Sequence, residues 1–600
     1  MALITPDKLK SSYDVIVVGS GAGGGQTAYT LTLEGIKVLM LEAGRNYVPE
    51  TETPMFETPD QAPLRGAGTP DKPFGFHDST IDGGWTVPGE PYTCANNERG
   101  RKFEWWRARM LGGRTNHWGR YSFRNGQYDF KPRTRDGLGF DWPMDYADLA
   151  PYYDKVEMLI GVYGENDGLE NTPDSPPGVL LPAPKPRVGD LLFRKHAGRL
   201  GIPVVAAHRA VLTKRLDAGN LPARLHPGNP AAQRLVREAM EGRAACYWAT
   251  ECGRGCAIRA TYQSTTVHLP PAMASGNLDL VTNAMVREVT TAPDGKASGV
   301  TFIDKTTGRE HRAAGRVIVL AASSGETVRL MLNSKSARFP QGLANSSGLV
   351  GKYLMDTVGA SFTGQIPALE DLPPHNEDGA GGAHVYAPWW QYQEQLAGKL
   401  GFARGYHIEI DGGRRLPGMR TAGGLEWVTG GSYGRKFKED ARRYYGSFMS
   451  FSGRGDMIPN EDSFCELDPA VKDKWGIPVL RFHWKWSEHE IRQAAHMQQT
   501  FADIVSAMGG KMRQPPEKDG AKAIANGGVI IHEVGGAIMG TDPAKSVTNQ
   551  WSQTWDVPNL FLTDGAPFCS NADKNPTLTI MAQAWRAADH IVAELKKHNL

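Results

Sequence analysis

Residues 13–42 constrain this chain more than any other stretch. Tyr13-Asp-Val-Ile-Val-Val18 is a short β-branched run that stops at Gly19-Ser-Gly-Ala-Gly-Gly24. A helix-like stretch follows from Gln26 to Leu33, and a second apolar run, Lys37-Val-Leu-Met-Leu41, ends at Glu42. The pattern reads as strand, glycine turn, helix, strand. In that arrangement Gly19 allows the tight turn, Gly21 lets the backbone approach a pyrophosphate, and Gly24 lets helix and strand pack closely, with the phosphates at the helix N-terminus. Glu42 stands 18 residues beyond Gly24, where a carboxylate can accept both ribose hydroxyls of an adenosine. The segment is read as dinucleotide-binding, against a merely structural glycine turn. Glu42-Ala-Gly44 is followed by further Gly-rich segments instead of a compact second βαβ half, which favours FAD over NAD.

Composition narrows the class. Six hundred residues suggest about two to four domains, and 40% apolar residues are enough for a large core. Gly accounts for 70 positions, well above the usual share of roughly 7%, which implies many tight backbone positions. With 67 Lys+Arg against 65 Asp+Glu the formal charge is +2, so whole-protein electrostatics gives no case for nucleic acid or an anionic membrane as partner. No apolar run approaches the ~18 residues of a membrane-spanning helix. The opening Met1-Ala-Leu-Ile-Thr-Pro-Asp-Lys8 lacks the apolar core and cleavage site of an export signal. Six cysteines are too sparse for a disulfide scaffold; Cys94, Cys465 and Cys569 lie alone, whereas Cys246, Cys252 and Cys256 cluster. There is no internal repeat, and the Pro-rich stretch 173–186 reads as a surface excursion or a linker to a partner surface.

Further along, Arg316-Val-Ile-Val-Leu-Ala-Ala322 is another buried-strand run, ending at Ser323-Ser-Gly-Glu326 before a helical stretch through Leu332. Asn559-Leu-Phe-Leu-Thr-Asp564-Gly565 repeats the pattern, as where a parallel sheet meets its ligand. Residues 111–118, Leu-Gly-Gly-Arg-Thr-Asn-His-Trp, the segment Asn575-Pro-Thr-Leu-Thr-Ile580 and the pairing of His532 with Asn575 resemble the glucose–methanol–choline (GMC) flavin oxidoreductases, from about residue 12 to the C-terminus. Within that family, Asp145-Tyr-Ala-Asp-Leu-Ala-Pro-Tyr-Tyr153, with Lys155-Val-Glu157 and Gly161, is similar to a segment of bacterial sugar dehydrogenase catalytic subunits, glucoside 3-dehydrogenases among them, and of pyranose oxidases.

The resemblance implies an α/β fold of two interleaved parts. An FAD-binding Rossmann-like domain would comprise residues 12–130, 246–350 and 525–600, and a substrate domain built on an antiparallel sheet residues 131–245 and 351–524. It implies FAD contacts at Gly19, Gly21, Gly24, Glu42, Gly112, Gly113, Asn116, His117, Asp564, Pro576 and Thr577, with Val286 over the adenine. At Asp564 the alternative is a strand-terminating turn, and at Val286 an ordinary sheet residue.

Oxidising an alcohol by hydride transfer leaves a proton on oxygen, so a base must stand within hydrogen-bond reach of the hydroxyl while its carbon faces flavin N5. His is the side chain with an unperturbed pKa near neutrality. The resemblance puts His532, in Ile530-Ile-His-Glu-Val-Gly-Gly536, in that role, with the Asn575 amide donating to the substrate oxygen without competing for the proton. Asn575 ahead of Pro576 also reads as a helix N-cap, and that helix N-terminus would favour negative charge on the reduced flavin. His117, in Thr115-Asn-His-Trp118, lies where pyranose oxidase-like relatives bond a His to the flavin 8α-methyl; a covalent bond and a non-covalent contact to the ring edge are both open. Trp105, Trp106, Trp389, Trp390, Trp484 and Trp486 offer faces for sugar stacking or core packing. His483 and Gly412-Gly-Arg-Arg415 offer a polar pocket or a solvated loop.

Cys246, Cys252 and Cys256 are separated by five and then three residues, with glycines that leave the loop free to wrap a cofactor. The spacing resembles that of sugar dehydrogenase subunits in which a 3Fe–4S cluster hands single electrons from flavin to a cytochrome. Plain buried thiols, or a zinc site completed by His268 or a carboxylate, are the alternatives. The implied function is FAD-dependent oxidation of a secondary hydroxyl of a sugar or glycoside to a ketone, in a complex with a small subunit and a cytochrome c. The rival readings are an oxygen-using pyranose-type oxidase, a non-redox lyase on the same fold and an NAD-dependent dehydrogenase. Catalytic chains of this kind reach the periplasm on the export signal of a small partner; without that partner the location is the cytoplasm.

Overall fold

The computed structural model describes residues 3–53, 61, 64, 69, 83–248, 252, 255–373, 384–414 and 424–600. The apolar runs singled out above pair with one another in parallel. Strand Tyr13–Val18 lies between Val38–Leu41 and Glu310–Leu320, with Leu278–Val281 beyond the first and Leu560–Leu562 beyond the second. Val15–Val18, Val38–Leu41 and Val317–Leu320 are buried. Burial on both faces is why these strands read as continuous apolar runs and not as alternations. Glu310–Leu320 changes partners along its length. Residues 315–320 belong to the parallel sheet, whereas 310–314 pair antiparallel with Ala297–Asp304, which pairs in turn with Ala284–Thr291.

Helix Ala22–Leu33 packs against Thr577–Lys596 and Leu269–Ala274. It approaches the sheet closely because its first turn is glycine: a Cβ at Gly24 would lie 2.0 Å from the Gly19 carbonyl oxygen, and one at Gly23 would lie 1.8 Å from that of Thr563. No side chain fits at either position.

A second, six-stranded antiparallel sheet runs in the order Lys511–Met512, Val358–Gln365, Phe448–Gly455, Tyr406–Gly412, Val385–Ala387, Val205–Ala206. Helix Glu488–Ala507 lies on its backbone, since Cβ atoms at Gly364, Gly453 and Gly455 would meet Val505, Met497 and Gln493 at 2.6, 2.4 and 1.8 Å. Ser487 and Glu490 start that helix with a reciprocal capping box. The register sets Val358 and His407 at one end of the sheet, beside Gly455 and Arg454. That end faces the catalytic candidates.

Helix Tyr146–Ile160 opens with a capping box from Asp145 and Asp148, and its Glu157 makes a buried ion pair with Arg124. Residues 173–186 contain no helix or strand segment. Among the described residues no helix is long and apolar enough to cross a membrane. The architecture is α/β, a Rossmann-like parallel sheet joined to an antiparallel one, as the resemblance implied.

Candidate active site

Beyond the carboxyl ends of the parallel strands lies a cavity of about 350 Å³, where Val18–Gly19, Leu41–Glu42, Ala321–Ser324 and Asp564 meet. That is where an open α/β sheet binds ligands. The residues fit a dinucleotide. Gly19 has φ +100, and a Cβ added at Gly21 would meet nothing within 4 Å, so the backbone there stands open to a phosphate. Glu42 accepts from Ser20 N at 3.1 Å and Gly44 N at 2.7 Å, bonds that fix its carboxylate and leave lone pairs for ribose hydroxyls. Ser20 Oγ also accepts from Gly112 N at 2.8 Å, which ties the two glycine segments together. Gly113 stands opposite, 3.8 Å from Gly21 Cα to its would-be Cβ.

Of the other residues singled out in the sequence, Gly113, His117, Val286, Asp564, Pro576 and Thr577 line this cavity, whereas Gly24, Gly112 and Asn116 do not. Gly24 serves the helix–strand contact. Asn116 is buried and holds its own loop, donating to Leu111 O at 2.9 Å. Asp564 accepts from Ala566 N at 2.9 Å and from Thr327 Oγ1, and burial pushes its carboxyl up to about 6. At the other end Arg109 bonds Glu90 at 2.7 Å and also Glu326. Burial of Glu326 works to raise its pKa, but Arg109, Arg329 and Arg107 prevail and hold it at about 2.

His532 and Asn575 meet at the cavity wall, Nε2 to Nδ2, at 3.2 Å. Asn575 Nδ2 also reaches Glu409 Oε1 at 3.5 Å. Glu409 takes Arg454 at 3.3 Å and His407 Nε2 at 3.3 Å; burial opposes its charge, yet Arg454 and His407 hold it at about 2. An ionised carboxylate requires a donor, so the amide turns its NH₂ group towards Glu409 and His532. Nε2 of His532 is then the acceptor, and its proton sits on Nδ1, 3.0 Å from Thr357 Oγ1. Burial, with Arg454, pushes the imidazole down to about 3. It is neutral, with the Nε2 lone pair facing the cavity. Asn575 does not cap the following helix: Pro576 occupies the cap position with no side-chain bond.

Several functional neighbours escaped the sequence reading. Glu409 and Arg454 come from the antiparallel sheet, and Asp356 and Thr357 from the segment that leads into its strand Val358–Gln365, hundreds of residues from the glycine motif. The stretch Tyr406-His-Ile-Glu-Ile410 did carry a signal, since His407 and Glu409 share one strand face opposite Ile408 and Ile410. Trp106 and Trp118 line the cavity, but Trp105, Trp389, Trp484 and Trp486 are core residues, and Trp390 packs at a tilt against Trp389, outside the cavity lining. His483 stacks on Phe464 and pairs with Glu466. Gly412–Arg414 lie at the far end of the antiparallel sheet, and Arg415 is outside the described residues.

His117 accepts at Nε2 from Trp106 Nε1 at 3.0 Å, and burial, with Arg120 and Arg114, pushes it down to about 3. Its Nδ1 is buried without a partner. Cys252 and Cys256 are buried and Cys246 is half-buried. Among the described residues no three His, Cys, Asp or Glu side chains are gathered to hold a metal ion. Cys246 and Cys256 pack in one small apolar cluster. Their loop is tethered to the cavity wall, since buried Arg120 donates to Cys252 O at 2.8 Å and to Asn116 O at 2.9 Å.

Two family models described as GMC oxidoreductase match residues 13–358 and 459–584. The chain is 29% identical to a 2-methyl-1,2-propanediol dehydrogenase of Mycolicibacterium austroafricanum, over 96% of this chain and 95% of that one. It is 28% identical to the fructose dehydrogenase large subunit of Gluconobacter japonicus, over 98% and 99%. A solved structure of an Aspergillus oryzae formate oxidase variant superposes with a TM-score of 0.63 at 14% identity, covering 98% of this chain and all of that one; this likeness concerns the fold.

Proposed function

Because the chain belongs to the GMC oxidoreductase family and is an FAD-dependent oxidoreductase acting on CH–OH groups, we propose that it oxidises a secondary hydroxyl of a sugar or glycoside to a ketone, with His532 as base. The observation that carries this reading is the neutral His532 imidazole, its Nε2 turned to the cavity and to the Asn575 amide at 3.2 Å. FAD, when bound, supplies the acceptor for the two electrons that leave the carbinol carbon.

The chain's own residues manage the proton. Thr357 accepts from His532 Nδ1 at 3.0 Å and fixes the tautomer, so that Nε2 can take the hydroxyl proton. The substrate hydroxyl would replace the Asn575–His532 bond, donating to Nε2 and accepting the freed amide N–H as negative charge builds on its oxygen. Glu409, ionised behind Asn575, stabilises the imidazolium once formed. Gly19, Gly21 and Gly113 make the phosphate cradle, Glu42 the ribose site, Val286 the adenine cover, and Asp564, Pro576 and Thr577 the end nearest the reacting ring. Gly24, Gly112 and Asn116 support this cradle from behind.

His117 would contact the dimethylbenzene edge of the flavin; Trp106 donates to its Nε2, so a covalent link would have to use the unpartnered Nδ1. Denaturing the protein in acid should leave the yellow colour in the supernatant; colour in the pellet would make the link covalent. Electrons pass on to a one-electron acceptor, a partner cytochrome c, and the large-subunit name of the Gluconobacter relative supports a partner chain.

The test is an anaerobic screen of D-fructose, D-glucose, methyl glucosides and 2-methyl-1,2-propanediol against the purified flavoprotein, followed by product analysis. Bleaching of the flavin by a sugar, with a keto-sugar as product, is the expected result. Bleaching by the small diol alone would move the substrate class to short polyols, and reoxidation by oxygen as fast as by cytochrome c would make the enzyme an oxidase.

A further inference from the structure

The residue before His532 is strained. Ile531 has φ +64, in the left-handed region that a β-branched side chain enters only when its surroundings impose it. The imposing group is visible on the neighbouring segment. Asp356 accepts from His532 N at 2.9 Å with Oδ1 and from Ile530 N at 3.3 Å with Oδ2, so one carboxylate grips the backbone on both sides of the strained residue. Met355 and Val534 exchange backbone bonds of 2.8 and 3.0 Å just beyond. Thr357, the next residue, holds the ring at Nδ1.

Asp356 is completely buried, and among the described residues no cation pairs with it: the group facing it is another carboxylate, Glu533, whose charge is taken by Arg114 at 2.6 Å. A buried carboxyl without an ion pair is unfavourable and calls for a role that offsets it.

We propose that Asp356 is a positioning residue that clamps the strained turn at Ile531 and thereby aims the His532 imidazole at the substrate hydroxyl. The inference rests on His532 being the base. An Asp356→Asn side chain keeps one acceptor but turns an NH₂ group towards one of the two backbone N–H groups, so half of the clamp opens. Glycine adopts φ near +60° without penalty, so with Ile531→Gly the turn no longer needs the clamp.

The experiment measures anaerobic flavin reduction by the fastest sugar of the screen above in wild type, D356N, I531G, the D356N/I531G double variant and H532A. A misplacement of about 1 Å can cost about a hundredfold, so D356N should slow the saturating rate by about tenfold to a hundredfold. The half-saturating concentration should change by less than about threefold, because the hydroxyl still binds. Within the I531G background the same D356N change should cost less than about threefold. Equal losses in both backgrounds, or no loss in either, would overturn the proposal. If D356N fails to retain flavin, I531G must restore retention, and failure to do so overturns it equally. H532A separates the two layers: if it reduces as fast as wild type, His532 is not the base, whereas a slow H532A beside a fast D356N removes only the clamp.

Discussion

Glu409→Gln tests the electrostatics of the site with the least change in shape. Glu409 touches Asn575, His407 and Arg454, and its negative charge lies one amide away from the ring that becomes positive in the reaction. Taking the separation as about 6 Å, roughly two hydrogen bonds, and an effective dielectric of about 20, the attraction is about 3 kcal/mol. That energy is realised only after the proton has moved, so its loss should appear in the rate and not in binding. At 1.36 kcal/mol per tenfold, E409Q should slow flavin reduction by about a hundredfold. Stopped-flow absorbance of the flavin, with the substrate at saturation, reads this directly, and an unchanged oxidised spectrum shows that the cofactor site is intact. Because the change also leaves Arg454 unpaired, E409Q/R454M is the control: removing the cation that pushes the imidazole down should recover part of the rate lost in E409Q. An E409Q rate within threefold of wild type would refute the claim that Glu409 stabilises the imidazolium.

Other perturbations have equally definite outcomes. Gly23→Ala would set a methyl 1.8 Å from the Thr563 carbonyl oxygen; it should lower stability by about 3 kcal/mol or more and abolish flavin retention, as thermal melting and the visible spectrum will show. Glu42→Gln should weaken FAD binding by about tenfold to a hundredfold, the value of a charged hydrogen bond or two, in a fluorescence titration of the apoprotein, with FMN binding unaffected. Burial, with Glu533, pushes Asp356 up to about 7, while His532 lies at about 3. Since the carboxylate is the gripping form, kcat/KM should fall as pH drops through about 7, and D356N should flatten that limb; a limb that persists in D356N would assign it elsewhere.

The cofactor half of this account was legible because it is local. Gly19, Gly21 and Glu42 lie within 24 residues, and their strands, buried on both faces, announce themselves as apolar runs. His532 and Asn575 could be named from the family's motifs, but their environment could not, because it is assembled by strand register. Thr357 reaches the imidazole, and Glu409 the Asn575 amide beside it, only because Val358–Gln365 and Tyr406–Gly412 flank the same strand, Phe448–Gly455. No short-range spacing reports such a pairing. Asn116 sits inside the diagnostic motif, and its side-chain amide turns inward to Leu111, a direction that sequence spacing does not report. The tryptophans stayed ambiguous because stacking on a sugar and packing in a core call for the same residue; four of the six candidates are core.

Everything above depends on His532 taking the hydroxyl proton, and anaerobic reduction of the bound flavin by a single sugar, compared between wild type and His532→Ala, tests that most directly. The account predicts that both proteins show the same oxidised flavin spectrum and that the variant is bleached at least about a hundredfold more slowly. Equal rates would contradict it.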